Sequence, residues 1–150
     1  MDNTYDYGLL AENLINLVEV ATEKELIEDA TTGPQPERPF FSYSIPSPYL
    51  PITVDIVDNE QFELVVSLKC HTDSTVQGLN LATRLRKYLT SFEGKLLLKE
   101  KDMILVSITK VGKRDNFISI EYERLTGFDV RFRVRDAYVD KVQEIENIDI

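Results

Sequence analysis

Apolar residues recur at helical spacing near the N-terminus and in strict alternation over much of the remaining chain. Over 6–21 (DYGLLAENLINLVEVA), Leu10, Leu14, Leu17, Val18 and Ala21 fall at i, i+4, i+7, i+8 and i+11, one stripe of a helix, with Asp6 placed to cap it. The acidic stretch TEKELIEDA that follows either continues this helix or breaks it. Gly33, Pro34, Pro36 and Pro39 exclude a helix interior, so 31–39 reads as an extended linker. FFSYSI (40–45) predicts a strand with Phe41, Tyr43 and Ile45 on one face. Pro46, Pro48 and Pro51 confine any pairing beyond it to an edge or an excursion. QFELVVSLKCHT (61–72) predicts a strand with Phe62, Leu64, Val66, Leu68 and Cys70 on one face. A helix follows over 74–93, with Leu81, Leu85, Tyr88, Leu89 and Phe92 as its apolar set and a gap at Gly78. Asp73 or Ser74 caps it, and Gly94 follows its end. Strands are expected at 103–111, 117–125 and 127–135, the last two joined tightly at Gly127 by a turn or bulge.

The predicted order is α-β-(β)-β-α-β-β-β and a tail. It implies an α+β fold, a mostly antiparallel β-sheet with flanking helices on one face. We expect a single domain over 1–150: an N-terminal helical region (1–30), a Gly/Pro linker (31–39), a sheet (40–136) holding the helix 74–93, and an acidic tail (137–150).

Composition narrows the function. With 150 residues, 43% hydrophobic and 29% charged, the chain is of the globular class. A net charge of -9 argues against non-specific nucleic-acid binding, which needs a basic footprint. Cys70 is the sole cysteine, so no internal disulfide can form and a reducing compartment is expected. The N-terminus lacks the cationic start and apolar run of a signal peptide, and no apolar stretch approaches the ~20 residues of a membrane span.

Catalytic constellations are weak. Cys70 and His71 are neighbours on a strand and point to opposite faces, so the expectation is a buried thiol and an exposed imidazole. His71 has no second metal ligand at useful spacing. Asp55, Asp58 and Glu60 lack the glycine and distal glutamate of a calcium loop and read as a solvated turn. Phosphate-loop, dinucleotide and nucleophile-elbow motifs do not occur. We therefore expect no catalytic, cofactor or metal site, and no enzyme.

One strand stands out against the acidic background. In GFDVRFRVRD (127–136), Phe128, Val130, Phe132 and Val134 alternate with Asp129, Arg131, Arg133 and Arg135. Two compatible accounts arise. Glu121 and Glu123 of the preceding strand pair with Arg131, Arg133 and Arg135 across a hairpin at Gly127. Alternatively, these residues line a subunit or partner interface, with the acidic segment 140–150 (DKVQEIENIDI) as a complement from another copy.

Three stretches carry a family resemblance: the N-terminal helix followed by TGPQPERPFFSYSI, the strand–helix unit FELVVSLKCHTDSTVQGLNLATRLRKYL, and the closing ISIEYERLTGFDVRFRVRDAYVD. Together the chain resembles the neck and tail terminator (head–tail joining, tail completion) proteins of tailed bacteriophages. The resemblance implies a virion structural protein of the tail and neck, assembled in the host cytoplasm. It implies a homo-oligomeric ring, commonly a hexamer, at the head-proximal end of the tail. Such a ring stops tail-tube growth and meets the neck, connector or head-completion proteins. DNA passes through the lumen without sequence-specific binding, and no membrane is involved. The alternatives are a tail-tube or other neck/connector structural protein, and a small ligand-binding or enzymatic α+β domain.

Overall fold

The computed structural model describes residues 4–29, 33–55, 57–114 and 123–139. Its elements are α1 (Tyr7–Thr22), β1 (Leu26–Glu28), β2 (Phe40–Pro51), β3 (Gln61–Thr72), α2 (Thr75–Thr90), α3 (Phe92–Glu100), β4 (Ile104–Ile108), β5 (Gly112–Lys113) and β6 (Arg124–Arg135). The fold is α+β. The six-stranded sheet runs β1-β2-β3-β6-β4, with β5 also pairing β6. Among the described residues only the β1–β2 pair is parallel.

The Asp6 carboxylate caps α1, accepting from the Gly8 and Leu9 amides at 2.9 and 3.2 Å. Leu10, Leu14, Leu17 and Val18 are buried, as the stripe predicts. Glu23 ends the helix in the left-handed conformation (φ 61°), so TEKELIEDA breaks the helix, and its Leu26–Glu28 becomes β1. β2 continues through the proline-rich stretch to Pro51, with register shifts between Ser44 and Ser47 and between Ser47 and Leu50. The prolines are tolerated because β1 covers β2 only at Phe41–Tyr43, leaving an edge beyond.

The expected helix over 74–93 is two helices. Ser91 ends α2 and caps α3, its hydroxyl oxygen accepting from the Gly94 amide at 3.0 Å. Gly94 therefore lies inside α3 rather than after a helix end. Restarting the helix turns Phe92 outward, 80% exposed, so it leaves the predicted apolar set. The gap at Gly78 is where α2 comes closest to the sheet: a Cβ there would stand 2.9 Å from Thr126 Oγ1 and 3.0 Å from Thr72 Oγ1.

Gly127 is no turn. β6 runs unbroken from Arg124 to Arg135, and Gly127 pairs with Lys69 on one side and Gly112 on the other. A Cβ at Gly127 would fall 2.0 Å from the Leu68 carbonyl oxygen, so the glycine serves a close backbone approach. The expected strand 103–111 is shortened to β4, and a separate two-residue strand, β5, follows just beyond it. Of the strand expected at 117–125, residues 117–122 lie outside the described residues, as do 140–150 of the tail.

The core sits between the helices and one sheet face. Phe62, Leu64, Val66, Leu68 and Cys70 of β3 and Phe128, Val130, Phe132 and Val134 of β6 pack with Leu10, Leu14, Leu81, Leu85 and Leu98. Each such side chain stabilises the fold by roughly 1.5–3 kcal/mol relative to exposure. The opposite sheet face carries the alternate residues of the same strands.

Candidate functional site

Because side chains alternate along a strand, burying the apolar set of β6 drives Asp129, Arg131, Arg133 and Arg135 to the uncovered face. The β3–β6 register sets their neighbours: Glu63 opposite Arg133, Val65 opposite Arg131, Gln61 opposite Arg135. Glu63 thus reaches one arginine directly and another diagonally. Its Oε2 accepts from Arg133 Nη2 at 2.7 Å and Nε at 3.2 Å, and its Oε1 accepts from Arg131 Nη1 at 3.0 Å. The hydrogen bonds from Arg133, then Arg131, hold the Glu63 carboxyl below its ordinary range, against a smaller opposing effect of burial. Arg135 meets only Asp102 among these ion pairs, at 3.6 Å.

The side chains of Arg131, Arg133 and Arg135 remain 42%, 39% and 50% exposed, while Glu63 is 14% exposed. One sheltered carboxylate between two guanidiniums fixes their positions without neutralising the stripe. The stripe continues toward Arg114, whose Nη1 donates to Ser67 Oγ at 2.9 Å and Asp129 Oδ1 at 3.0 Å. The result is a cationic surface of guanidinium forks suited to carboxylates.

The expected partners differ. With no hairpin at Gly127, Glu123 lies near the start of β6, away from the arginines. It pairs with Arg38 (3.3 Å) and with His71 Nδ1. Glu121 lies outside the described residues.

His71 is also not exposed: it is 7% accessible, stacked on Phe40 with ring centroids 4.4 Å apart. Its Nε2 lies 2.7 Å from Ser42 Oγ, and Ser42 Oγ donates to Asp29 Oδ1 at 3.1 Å. Asp29 also accepts from Lys69 at 2.9 Å. Burial pulls the Asp29 carboxyl up, but Lys69 and the Ser42 hydroxyl outweigh it and hold it below its ordinary range. Sequence reasoning missed this network because its members, at 29, 42, 71 and 123, meet only through the sheet register. The alignment of Phe40 with His71 across β2 and β3 is what brings them together.

Ser42, His71 and Glu123 follow the order of a hydrolase triad, but the proton count differs. Ser42 has one hydroxyl proton. Given to Asp29, it leaves Oγ to accept a hydrogen bond from His71 Nε2; with the Glu123 carboxylate accepting at Nδ1, neither ring nitrogen keeps a free lone pair, the reverse of general-base activation. Ser42 is also buried, at 1% exposure, on a strand rather than an exposed turn. The network ties the end of β1, β2, β3 and the start of β6 together. Among the described residues, no group of three or more His, Cys, Asp or Glu side chains is arranged to hold a metal. Nor is any helix there long and apolar enough to cross a membrane.

A family profile described as phage neck terminator protein matches residues 9–150. The chain belongs to that family. No curated protein matches it. Membership makes this neck terminator a phage structural protein of the neck. In this terminator the most chemically distinctive surface is the arginine stripe.

Proposed function

We propose that the protein forms a ring of identical copies, a hexamer, at the head-proximal end of a phage tail. There it ends tail-tube growth and joins the tube to the neck or connector, without catalysing a reaction. Membership of the neck terminator family over 9–150 carries the reading. The surface supports it in two ways. A ring needs two different patches on each copy, and the stripe of Arg131, Arg133 and Arg135 is one patch in a chain whose net charge is -9. The other support is β4, which ends the strand order of the described residues and carries exposed Ile104 and Val106. DNA crosses the lumen without sequence-specific contact, eased by the acidic balance of the chain.

Electron micrographs of the purified protein, alone and added to polymerising tube subunits, test the reading. Rings, and tubes that stop growing with the protein at one end, are expected. Copies that stay single and leave tube length unchanged would overturn it, as would copies incorporated along the tube.

A further inference from the structure

Beside the edge strand β4 lies a groove of about 440 Å³, lined by Lys95, Leu98, Lys99, Met103, Ile104 and Leu105. Leu98 and Met103 are buried and form its floor, while Ile104 is 56% exposed at its edge. Lys95 and Lys99 stand one helical turn apart on α3, at i and i+4, so both ammonium groups serve the same side of the groove. Neither makes an ion pair among the described residues. An apolar floor with a cationic rim, next to a strand that ends the sheet among the described residues, selects a segment that is both apolar and acidic.

The chain contains such a segment. Residues 140–150, DKVQEIENIDI, carry Val142, Ile145, Ile148 and Ile150 among Asp140, Glu144, Glu146 and Asp149, with Lys141 alone opposing them. The described chain leaves the end of β6 with its backbone held on the β3 side, while Ala137 lines a small pocket with Lys101 and Asp102. Beyond Arg135, the Asp136 amide donates to Glu60 O at 2.7 Å and Tyr138 O accepts from the Asn59 amide at 2.9 Å. Both bonds lean toward β3, whereas the groove lies on the β4 side.

We propose that the α3–β4 groove receives residues 140–150 of a neighbouring copy. The inference deepens the ring reading and rests on it. The isoleucines and Val142 cover Leu98, Met103 and Ile104, and the carboxylates meet Lys95 and Lys99. Each copy then offers a groove and a tail, two unlike patches that link copies head to tail.

The test uses the full-length chain with two positions changed singly, the exposed Ile104→Cys in one preparation and Ile148→Cys in another. Cys70 is buried and does not compete. On mild oxidation of the mixture, covalent dimers containing one of each variant are expected. Adding Lys95→Glu and Lys99→Glu to the Ile104→Cys chain should cut their yield at least tenfold. No mixed dimer, or a yield indifferent to the lysine changes, overturns the proposal. The chain carrying both cysteines supplies the remaining outcome: an internal crosslink in place of a ladder of multimers also overturns it, by placing the tail in its own groove. The two readings fail separately. Rings formed by a chain truncated after Val139 would remove this contact and leave the ring standing. Mixed dimers from a protein that never forms rings would do the reverse.

Discussion

Replacing Glu63 isolates the physics of the cationic stripe. Glu63→Gln keeps the shape of the side chain and removes the charge that holds Arg131 and Arg133. Three hydrogen bonds of 2.7–3.2 Å are weakened together. The arginines are about two-fifths exposed, so solvent screens the pairs, and each contributes ~0.2–1 kcal/mol. Arg133 donates from both Nε and Nη2 to the one oxygen Oε2, which places that pair at the upper end. The sum is about 1–2 kcal/mol, a fall in Tm of about 2–8 °C for a chain of this size. Urea unfolding followed by circular dichroism reads it directly. A double-mutant cycle with Arg133→Gln should return a coupling of about 0.5–1 kcal/mol. The pH dependence has a fixed sign. Glu63 is held below its ordinary value in the folded state, so its contribution is complete above the unfolded value of ~4.3. It is lost as pH falls through the lowered folded value. The Glu63→Gln and wild-type stabilities should therefore converge in acid. A coupling near zero, or a stability gap unchanged from neutral to strongly acid pH, would refute the assignment of Glu63 as the organiser of the stripe.

Other consequences are more local. Gly127→Ala should destabilise the fold by about 3 kcal/mol, measured by urea unfolding, because the added methyl meets the Leu68 carbonyl inside the sheet. Ser42→Ala should cost about 1–3 kcal/mol, since His71 Nε2 and Asp29 each lose a buried partner; an unchanged midpoint would count against the network. Burial pushes the Cys70 thiol up to about 12, so at pH 8 it should react with a thiol reagent only as fast as the chain opens, and rapidly in denaturant. Arg135→Glu, at an exposed position with one long ion pair, should leave Tm within a degree or two yet reduce ring assembly in micrographs; normal rings would remove Arg135 from the interface.

Periodicity made much of this fold legible. The α1 stripe and the alternating core faces of β3 and β6 follow directly from spacing, because burial imposes 3.6 and 2 residue periods. Other features depend on contacts that spacing does not encode. β1 is three residues long and is a strand only because Phe41–Tyr43 of β2 lie beside it. Ser91 ends one helix and starts another, a signal hidden in an otherwise continuous helical pattern. Gly127 resembled a turn because the apolar/polar alternation breaks at Arg124, Leu125 and Thr126; pairing with Lys69 and Gly112, not spacing, carries β6 through it. The arginine stripe was visible as three residues on one strand face, but its organiser lies 68 residues from Arg131, and only register identifies Glu63. The pair of Glu123 with His71 was likewise a matter of tertiary placement.

The central position of β6 makes its length inflexible. Deleting one residue between Gly127 and Arg135 would move everything after the cut to the opposite face, sending guanidiniums into the core and the phenylalanine and valine side chains into water. Point changes on either side of that ribbon can be absorbed one at a time; a shift in reading of the ribbon itself cannot.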